Sequence, residues 1–469
     1  MKTSLWSMDA KYFLHLLLFI SINAFLTSCK KDLHEKTDPV AKNNLSGSFK
    51  KNRPAASQPN VILILIDDMG YEVPSYSGGQ SYETPSLDFM AYNGMQFSQC
   101  YCHPDGFPSR LAMYTGKYNF RNYVHWAVLP DGSKTIGNLM QDAGYATCFL
   151  GKWQCNGGDA KITSSGYSKY RAFDVIGDDQ RVGRYKNPVI YENGQYLPDS
   201  LTNGRYSEDM FFDYFSNFVD SNITNPFFVV YASNLVAQPF VPSPDDPDYA
   251  TWDPAFDQDN QDIKYFPGMV KYVDKKIGQI IQKVSDAGLA ENTLIMFTAD
   301  NATRSTITSD FKGYTISGQK TETTRPGTNI SFAAYWPGTI LPSQINNTDL
   351  IDFTDFLPTL ADLAGTTITS DYGITDGVSF YDNLLGIPGV NRDWVFCHWD
   401  NNPNDYNLVP PQRFVNNKFY KLYDGSKYKR FFNIQKDIFE KKPLSDSTLT
   451  PYEQRVKLSF EQVLQTEHN

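Results

Sequence analysis

The chain has 469 residues, of which 41% are hydrophobic and 20% are charged, and its formal net charge is −10. This length and apolar content support one large folded domain or two modest ones. The acidic balance argues against nucleic acid and anionic membrane surfaces as partners. An anionic substrate would need a local basic pocket set against this background.

The first 58 residues are typical of an exported protein. Lys2 and Lys11 flank a polar start, and residues 12–26 form an apolar run that is short for a membrane span. The run ends in Leu-Thr-Ser-Cys, which resembles a bacterial lipobox, so residues 1–29 are predicted to be a lipoprotein signal peptide with Cys29 as the lipidated residue. The alternatives are an ordinary cleaved signal and a short span. Residues 30–58 are polar and predict a flexible tether. We therefore expect an extracytoplasmic, membrane-anchored bacterial lipoprotein, in the periplasm or at the cell surface.

Five further cysteines follow the lipobox, and an odd number cannot form a complete disulfide framework. Cys148 could pair with Cys155, or Cys100 with Cys102, but buried free thiols fit the sequence equally well. None of these cysteines has zinc-ligand spacing with a histidine.

Apolar runs that alternate with helical patterns predict a doubly wound, mostly parallel α/β sheet flanked by helices. Four runs of this kind predict buried strands: Val61–Ile66, Tyr145–Leu150, Pro226–Ala232 and Thr293–Thr298. This α/β domain is expected to span residues 59–385. From about Gly386 the pattern changes to short alternating segments, which predict a smaller antiparallel sheet in residues 386–469.

Oxygen-bearing side chains follow two of the predicted strands. Asp67 and Asp68 come directly after the first strand, and Asp300 and Asn301 follow the fourth. Ligands in such sheets bind beyond the carboxyl ends of the strands, and an all-oxygen ligand set suits Ca²⁺ or Mg²⁺. Because Ca²⁺ tolerates irregular geometry better, it is the preferred ion. A capped turn remains the alternative reading of the first pair.

A Gly/Pro-rich turn and a helix start lie between His103 and Tyr118. Ser109 and Arg110 are predicted to open a helix that ends at Gly116, offering backbone N–H groups and a guanidinium to an anion such as phosphate or sulfate. Lys152 follows the predicted strand Tyr145–Leu150 and could join this site. A lysine that caps a loop is its ordinary alternative.

With these segments in place, the chain resembles the formylglycine-dependent sulfatases of the alkaline-phosphatase-like superfamily from about Pro59 to the C-terminus. The segments that carry the resemblance are Pro59–Gly70, Pro108–Lys117, Gly144–Trp153, Thr293–Asn301 and Trp336–Gly338.

The resemblance implies a role for each matching site residue. The implied Ca²⁺ ligands are Asp67, Asp68, Asp300 and Asn301. Arg110 would brace the nucleophile and the metal side of the pocket. Lys152 and Lys320 would bind sulfate oxygens and help the leaving group, and Lys117 would lie in the same basic pocket.

The chain departs from the family pattern at the nucleophile. Gly106 stands where the family has the Cys or Ser that is oxidised to formylglycine, so no formylglycine is expected. Cys102 does not restore the motif, because Gly106 falls where that alternative frame needs Arg.

Two histidine positions of the family are altered as well. Gln154 and Ala237 occupy them, which removes the usual general acid. His125 and His398 could enter the pocket, but His103, three residues before Gly106, is the best candidate, here as a substrate-binding residue together with Gln154.

Three functions remain open from the sequence. The first is a sulfate-ester hydrolase, acting on sulfated glycans with a metal-bound water in place of the missing side chain. The second is a catalytically inactive pseudo-sulfatase that binds sulfated or other anionic glycans. The third is retention of the fold alone.

Overall fold

A computed structural model describes residues 58–123, 125–173, 184–256, 262–401, 411–425 and 430–467. The chain divides after Ala56, and the residues from Ser57 onward form one compact unit that includes the C-terminal sheet. Cys29, the predicted signal peptide and nearly all of the predicted tether lie outside the described residues. Within the described ranges, every helix is too short or too polar to span a membrane.

The described residues contain seventeen strands. In chain order they are β1 Asn60–Ile66, β2 Met95–Tyr101, β3 Ala146–Lys152, β4 Lys169–Phe173, β5 Tyr191–Glu192, β6 Gln195–Tyr196, β7 Phe227–Ser233, β8 Thr293–Ala299, β9 Thr308–Phe311, β10 Tyr314–Ser317, β11 Asn329–Tyr335, β12 Gln344–Asn346, β13 Ile351–Asp352, β14 Val395–Trp399, β15 Gln412–Asn416, β16 Tyr420–Asp424 and β17 Phe431–Asn433.

Twelve α-helices accompany these strands in the described ranges. They are α1 Pro85–Tyr92, α2 Gly106–Thr115, α3 Asn119–Asn122, α4 Ile136–Asp142, α5 Gly158–Ser164, α6 Asp199–Thr202, α7 Ser207–Ser221, α8 Phe266–Asp286, α9 Arg325–Thr328, α10 Phe356–Ala364, α11 Tyr381–Leu384 and α12 Pro451–Thr466.

Eleven strands form one central sheet in the order β12-β2-β11-β8-β1-β7-β3-β4-β5-β6, with β13 also paired to β2. The centre is parallel, since β8, β1, β7, β3 and β4 pair in the same direction. Strand β11 runs antiparallel to both of its neighbours. The predicted mostly parallel, doubly wound sheet is therefore confirmed.

The two faces of this sheet explain why the strands are unbroken apolar runs. Every residue of β1, β7 and β8 is buried, because helices cover both faces. Side chains alternate between the faces, so Leu63 and Leu65 enter one core cluster while Ile62, Ile64 and Ile66 enter the other.

The C-terminal segments form a separate sheet in the order β14-β15-β16-β17, all antiparallel. Helix α12 packs its apolar side onto this sheet through Val456, Phe460 and Leu464, and Tyr118 joins the same cluster. The predicted small antiparallel sheet is thus present, and together with α12 it packs against the segment that follows α2.

All five cysteines after the predicted lipobox are buried, and none of them forms a disulfide in the described residues. The disulfide pairings Cys148–Cys155 and Cys100–Cys102 do not form. Burial raises the pKa of the Cys102 thiol well above its ordinary value, so this side chain stays protonated.

Candidate functional site: a buried carboxylate and cation cluster

The two predicted acidic pairs meet at one edge of the central sheet. Strands β1 and β8 are parallel neighbours with Ile66 opposite Ala299, so the residues that follow them emerge side by side. The Asp300 backbone N–H donates to Ile66 O at 2.9 Å, and the Asp68 backbone N–H donates to Asp300 Oδ1 at 3.1 Å. Carboxylate oxygens of Asp67, Asp68 and Asp300 lie within 4.8 Å of one another, and all three residues are buried.

The chemistry of these donors fits a divalent cation. Asp67 Oδ1 and Asn301 Oδ1 are buried atoms with no hydrogen-bond partner among the described residues. Asn301 Nδ2 donates to Asp68 Oδ1 at 2.9 Å, which places the amide within the carboxylate group. Buried oxygen acceptors without donors are costly, and a hard cation would satisfy them.

Four cations neutralise the three carboxylates. Lys152 Nζ lies 2.6 Å from Asp67 Oδ2, and Arg110 Nη2 lies 2.8 Å from Asp300 Oδ2. Lys320 pairs with Asp68 through its ammonium group. Arg304 Nε lies 3.2 Å from the second oxygen of Asp68. Asp105 also acts on Lys320, which brings the count to four carboxylates and four cations, so a bound divalent cation would give the cluster a net positive charge.

The pKa values of Asp67 and Asp300 differ because the surroundings of the two carboxyl groups differ. Burial favours the neutral form of both, but Lys152, Arg110 and Lys320 hold the pKa of Asp67 well below its ordinary value. At Asp300 burial raises the pKa to about 7, although Arg110 opposes the rise. Asp67 is therefore ionised, and binding of a cation at the cluster would favour the ionised form of Asp300 too.

Helix α2 presents its first residue to this cluster. Asp105 caps the helix, accepting from the Gly106 backbone N–H at 2.6 Å, and Gly116 ends it in the left-handed region. The helix therefore starts earlier than predicted, because Gly106 and Pro108 belong to its first turn. Proline is tolerated there, since first-turn N–H groups have no partner within the helix.

The space beside Gly106 is filled by the metal-ligand candidates. A Cβ atom built on Gly106 would lie 2.3 Å from Asp300 Oδ2 and 2.9 Å from Asn301 Oδ1. Gly106 is therefore directly adjacent to the carboxylate cluster, where the resemblance puts the nucleophile. Arg110, one turn further along the buried helix, also donates from Nη1 to Lys152 O at 3.0 Å and so joins α2 to the end of β3.

The histidine candidates do not supply a charged acid at this site. His103 is buried, and burial together with His398 lowers its pKa to about 3, so the imidazole is neutral at pH 7. Its two ring nitrogens have no hydrogen-bond partner among the described residues. His398 lies on β14 and His125 is exposed. Gln154 is buried after β3, with an Oε1 that lacks a partner in the described ranges.

Lys117 is not part of the cluster. It lies just beyond the C-terminal end of α2, about 15 Å along the ten-residue helix from Gly106. A Cβ on Gly373 would be 3.6 Å from Lys117 Nζ, and Asp376 is its nearest acidic influence. The structure thus places Lys117 at the end of α2 opposite to Gly106, and its pocket role stays a prediction.

Two residues of the cluster were missed from the sequence. Arg304 pairs with Asp68, and Thr303 links the segments by accepting from the Gly70 N–H at 2.9 Å and from the Lys320 N–H, also at 2.9 Å. The only available signal was their position shortly after Asp300, in the loop between two predicted site residues.

Comparisons with known proteins agree with this geometry. The family model described as Sulfatase matches residues 59–366. The human N-acetylgalactosamine-6-sulfatase is 26% identical over 458 residues, which cover 83% of this chain and 82% of that protein. An arylsulfatase of Hemicentrotus pulcherrimus is 27% identical over 374 residues, but the match spans only 63% of that protein and 71% of this chain.

Solved structures share the fold. The crystal structure of Ps i-CgsB in complex with k-i-k-neocarrahexaose superposes with a TM-score of 0.71 at 23% identity, over 88% of this chain and 93% of that one. The structure of BT4656 in complex with its substrate D-glucosamine-2-N,6-O-disulfate gives a TM-score of 0.69 at 18% identity, over 88% and 98%. Because the family model covers well over half of the residues, this chain belongs to the sulfatase family, within the alkaline-phosphatase-like superfamily.

Proposed function

We propose that this protein binds sulfate esters of carbohydrates at the carboxylate and cation cluster, in a Ca²⁺-dependent manner and without formylglycine chemistry. The observation that carries the proposal is the convergence of buried carboxylates and cations beside Gly106, a residue with no side chain to react. Binding machinery is retained, whereas the reacting atom is missing.

The ligands proposed for the cation are Asp67, Asp68, Asp300 and Asn301. Carboxylate and amide oxygens favour Ca²⁺ or Mg²⁺, and the irregular mixture of donors favours Ca²⁺. When bound, Ca²⁺ would supply positive charge to the oxygens of a sulfate group.

The lysines of the cluster would hold the sulfate. Lys152 and Lys320 each contact one carboxylate oxygen, which leaves further ammonium N–H donors for an anionic ligand. Asp68 and Asp105 keep the pKa of Lys320 above its ordinary value in spite of burial, so this donor is always charged. Arg110 acts through Asp300, which it orients from 2.9 Å.

The absence of a reactive group favours binding over turnover. Gly106 offers no nucleophile, and the nearby Cys102 is buried with a protonated thiol. Gln154 and Ala237 cannot donate a proton as an acid, and the neutral His103 carries no extra proton to give. The side chains that the family resemblance implies for attack and for histidine acid catalysis are therefore both replaced at these positions.

The proposed ligand class comes from the relatives. One relative is named for N-acetylgalactosamine-6-sulfatase activity, and a solved structure contains the substrate D-glucosamine-2-N,6-O-disulfate. A sulfated sugar also suits the positive charge that a bound divalent cation would give the cluster.

Hydrolysis by water is the second candidate function. It is favoured by the retention of Arg110, Lys152 and Lys320, the groups that would stabilise charge on a departing sulfate. In that case a water molecule would have to replace the missing side chain of Gly106, and the positive groups would remain essential for turnover.

Calorimetric titration tests the binding proposal. Glucosamine 6-sulfate should bind in the presence of Ca²⁺, and glucosamine should not. Lys320→Ala should weaken binding by at least about tenfold, since a charge-assisted contact is lost. Lys271→Ala removes an exposed lysine of α8 and is the matched control. Equal affinity for the sulfated and unsulfated sugar would contradict the proposal.

A turnover assay separates the two candidates. The purified protein is incubated with Ca²⁺ and aryl sulfate, aryl phosphate or sulfated oligosaccharides, with Lys320→Ala beside the unmodified chain. Release of sulfate that disappears in Lys320→Ala supports the hydrolase. Release that persists comes from a contaminant or another site, and binding without release supports the first proposal.

The proposed location is extracytoplasmic, through a lipid anchor at Cys29. The lipobox-like sequence is the support for this proposal. Expression in a bacterium followed by fractionation should find the protein with membranes, and Cys29→Ala should move it to the soluble fraction. An unmodified chain that is already soluble would contradict the anchor.

A further inference from the structure

A second cavity has a lining distinct from the carboxylate and cation cluster. It has a volume of about 490 Å³ and opens between the β9–β10 hairpin, helix α9 and residues 435–439. None of the cluster residues lines it. Its size is within the range of pockets that hold small organic ligands.

Three cations and two carboxyl groups line this cavity, namely Lys312, Arg325, Lys436, Glu72 and Asp437. Lys312 and Arg325 both line it, and within the described ranges neither makes an ion pair. The Arg325 guanidinium donates to Ile434 O at 3.1 Å, which fixes its position. Burial and the neighbouring Arg325 both lower the pKa of Lys312, which means that the two positive groups are close enough to repel each other. An anionic group between them would relieve this repulsion.

Aromatic rings border the same space. Lys312 Nζ lies 4.9 Å from the Phe311 ring centre and 5.6 Å from that of Tyr71, and these two rings meet edge to face at 5.8 Å. Tyr314 also lines the cavity and is 57% exposed, so its ring is available to a ligand. Rings of this kind pack against the C–H faces of sugars while their polar edges stay wet.

Hydrogen-bond acceptors complete the lining. Asn329 donates from Nδ2 to Ser98 O at 3.3 Å, but its Oδ1 has no partner among the described residues. Glu72 Oε1 also lacks a partner in that set. The two side chains are 5% and 4% exposed and these two oxygens are themselves buried, so a ligand reaches them only if the side chains turn toward the cavity. Sugar hydroxyl groups would then be donors that satisfy both acceptors.

We propose that this cavity is a second carbohydrate site, which takes a sugar residue bearing a carboxylate or sulfate group. The anionic group lies between Lys312 and Arg325, the sugar ring packs against the aromatic side chains, and hydroxyl groups donate to Asn329 and Glu72. The site needs no metal ion and is independent of ligand binding at the cluster.

Calorimetric titration in the presence of a chelator tests this site on the whole chain. The probes are glucuronic acid, glucose 6-sulfate, neutral glucose and inorganic sulfate. Both anionic sugars should bind at least about tenfold more tightly than glucose or inorganic sulfate. Equal binding of glucose would overturn the anionic part of the proposal, and equal binding of inorganic sulfate would overturn the saccharide part.

Variants locate the binding. Lys312→Gln should weaken binding of glucose 6-sulfate by about tenfold, and Lys271→Gln should leave it unchanged. Tyr314→Ala should also weaken binding, whereas Tyr92→Ala, an exposed tyrosine outside the cavity, should not. Wild-type affinity in both Lys312→Gln and Tyr314→Ala would overturn the proposal.

The Asp300→Asn variant tests whether this site is distinct from the cluster. Chelator-resistant binding of glucose 6-sulfate should persist in Asp300→Asn, because Asp300 does not line the cavity. Loss of that binding would assign the sugar to the cluster and overturn the second site. Failure of the cluster proposal would look different, as an absence of Ca²⁺-dependent binding with the chelator-resistant binding intact.

Discussion

The absence of a side chain at Gly106 has a steric consequence as well as a chemical one. The Cβ position of Gly106 faces Asp300 Oδ2, the same oxygen to which Arg110 Nε donates at 2.9 Å. A longer side chain would compete with Asp300 for the same space. The glycine is therefore coupled to the geometry of the proposed metal ligands, in addition to having no side chain that could react.

Gly106→Ala should lower the free energy of unfolding by about 1–3 kcal/mol, the usual range for overpacking. The new Cβ would lie 2.3 Å from Asp300 Oδ2 and force that side chain to move. Gly268→Ala is the matched control, because the nearest atom to its Cβ, outside its own helix, is 3.8 Å away and it lies in the first turn of α8. Urea denaturation of both variants measures the difference. Equal stability of Gly106→Ala and the unmodified chain would mean that Asp300 moves freely.

A second residue-scale effect concerns Glu208, a fully buried carboxyl on α7. Burial raises its pKa to about 7, even though Ser233 Oγ and the Asn234 N–H both donate to it at 2.8 Å. In the unfolded chain the group has its ordinary value of 4.5. Between these two values the unfolded chain releases the proton while the folded chain keeps it, so stability falls as pH rises through this window.

Glu208→Gln should remove that pH dependence, because the amide resembles the protonated acid. The stability of the variant relative to the unmodified protein should increase by about 3 kcal/mol between pH 4.5 and pH 8. Denaturation curves of both proteins across this range measure the difference between their stabilities. The titration of all other groups is common to both proteins and cancels in that difference. A constant difference would show that Glu208 does not titrate in this window.

At the scale of elements, the C-terminal sheet fixes the loop that carries Lys320. Lys421 on β16 is buried, donates to Thr323 O, and lies 3.2 Å from Glu440 Oε1. Glu440 also accepts from the Arg325 backbone N–H at 2.6 Å. The buried Lys421–Glu440 pair therefore binds the segment just after Lys320 at two points, the Thr323 carbonyl and the Arg325 N–H. Residues beyond the part matched by the family model thus support a residue of the cluster.

Lys421→Met should destabilise the protein by about 3–5 kcal/mol, because Glu440 would be left as an uncompensated buried charge. It should also weaken binding of glucosamine 6-sulfate by loosening the Lys320 loop. Thermal denaturation and calorimetric titration measure the two effects. The double variant Lys421→Met/Glu440→Gln should recover part of the stability, since neither charge remains. No recovery would mean that the contact to Thr323, rather than the ion pair, is the important one.

At the scale of the whole molecule, the positive groups gathered at the cluster contrast with the negative net charge of the chain. The chain has a net charge of −10, yet the cluster gathers four cations around three carboxylates. The carboxylates come from segments more than 200 residues apart, at Asp67 and Asp300. A cation that binds them would therefore bind only the folded chain, and would stabilise it by mass action.

Adding Ca²⁺ to chelator-treated protein should raise its melting temperature. At a concentration one hundred times the dissociation constant, the expected stabilisation is about 2.7 kcal/mol. Asp300→Asn should show a much smaller increase, because one of the three carboxylates is lost. Differential scanning calorimetry measures both. An equal increase in the two proteins would mean that Ca²⁺ binds elsewhere.

The sequence by itself determined where the main strands lie and which oxygen-bearing residues follow them. Unbroken apolar runs are required by burial on both faces, so Val61–Ile66 and Thr293–Thr298 were predicted to within one residue of the observed strands. The carboxyl ends of neighbouring parallel strands meet at one edge, which is why the Asp67 and Asp300 pairs could be placed together before the structure was known.

Only the tertiary structure decided which cation contacts which carboxylate, since a lysine or arginine in a loop can reach in many directions. It brought Arg304 to Asp68, placed Lys117 at the far end of α2 from Gly106, and filled the space beside Gly106 with Asp300. These outcomes depend on packing between segments that are distant along the chain. Local patterns carry no record of such distances, and only the folded arrangement of the sheet, helix and loops sets them.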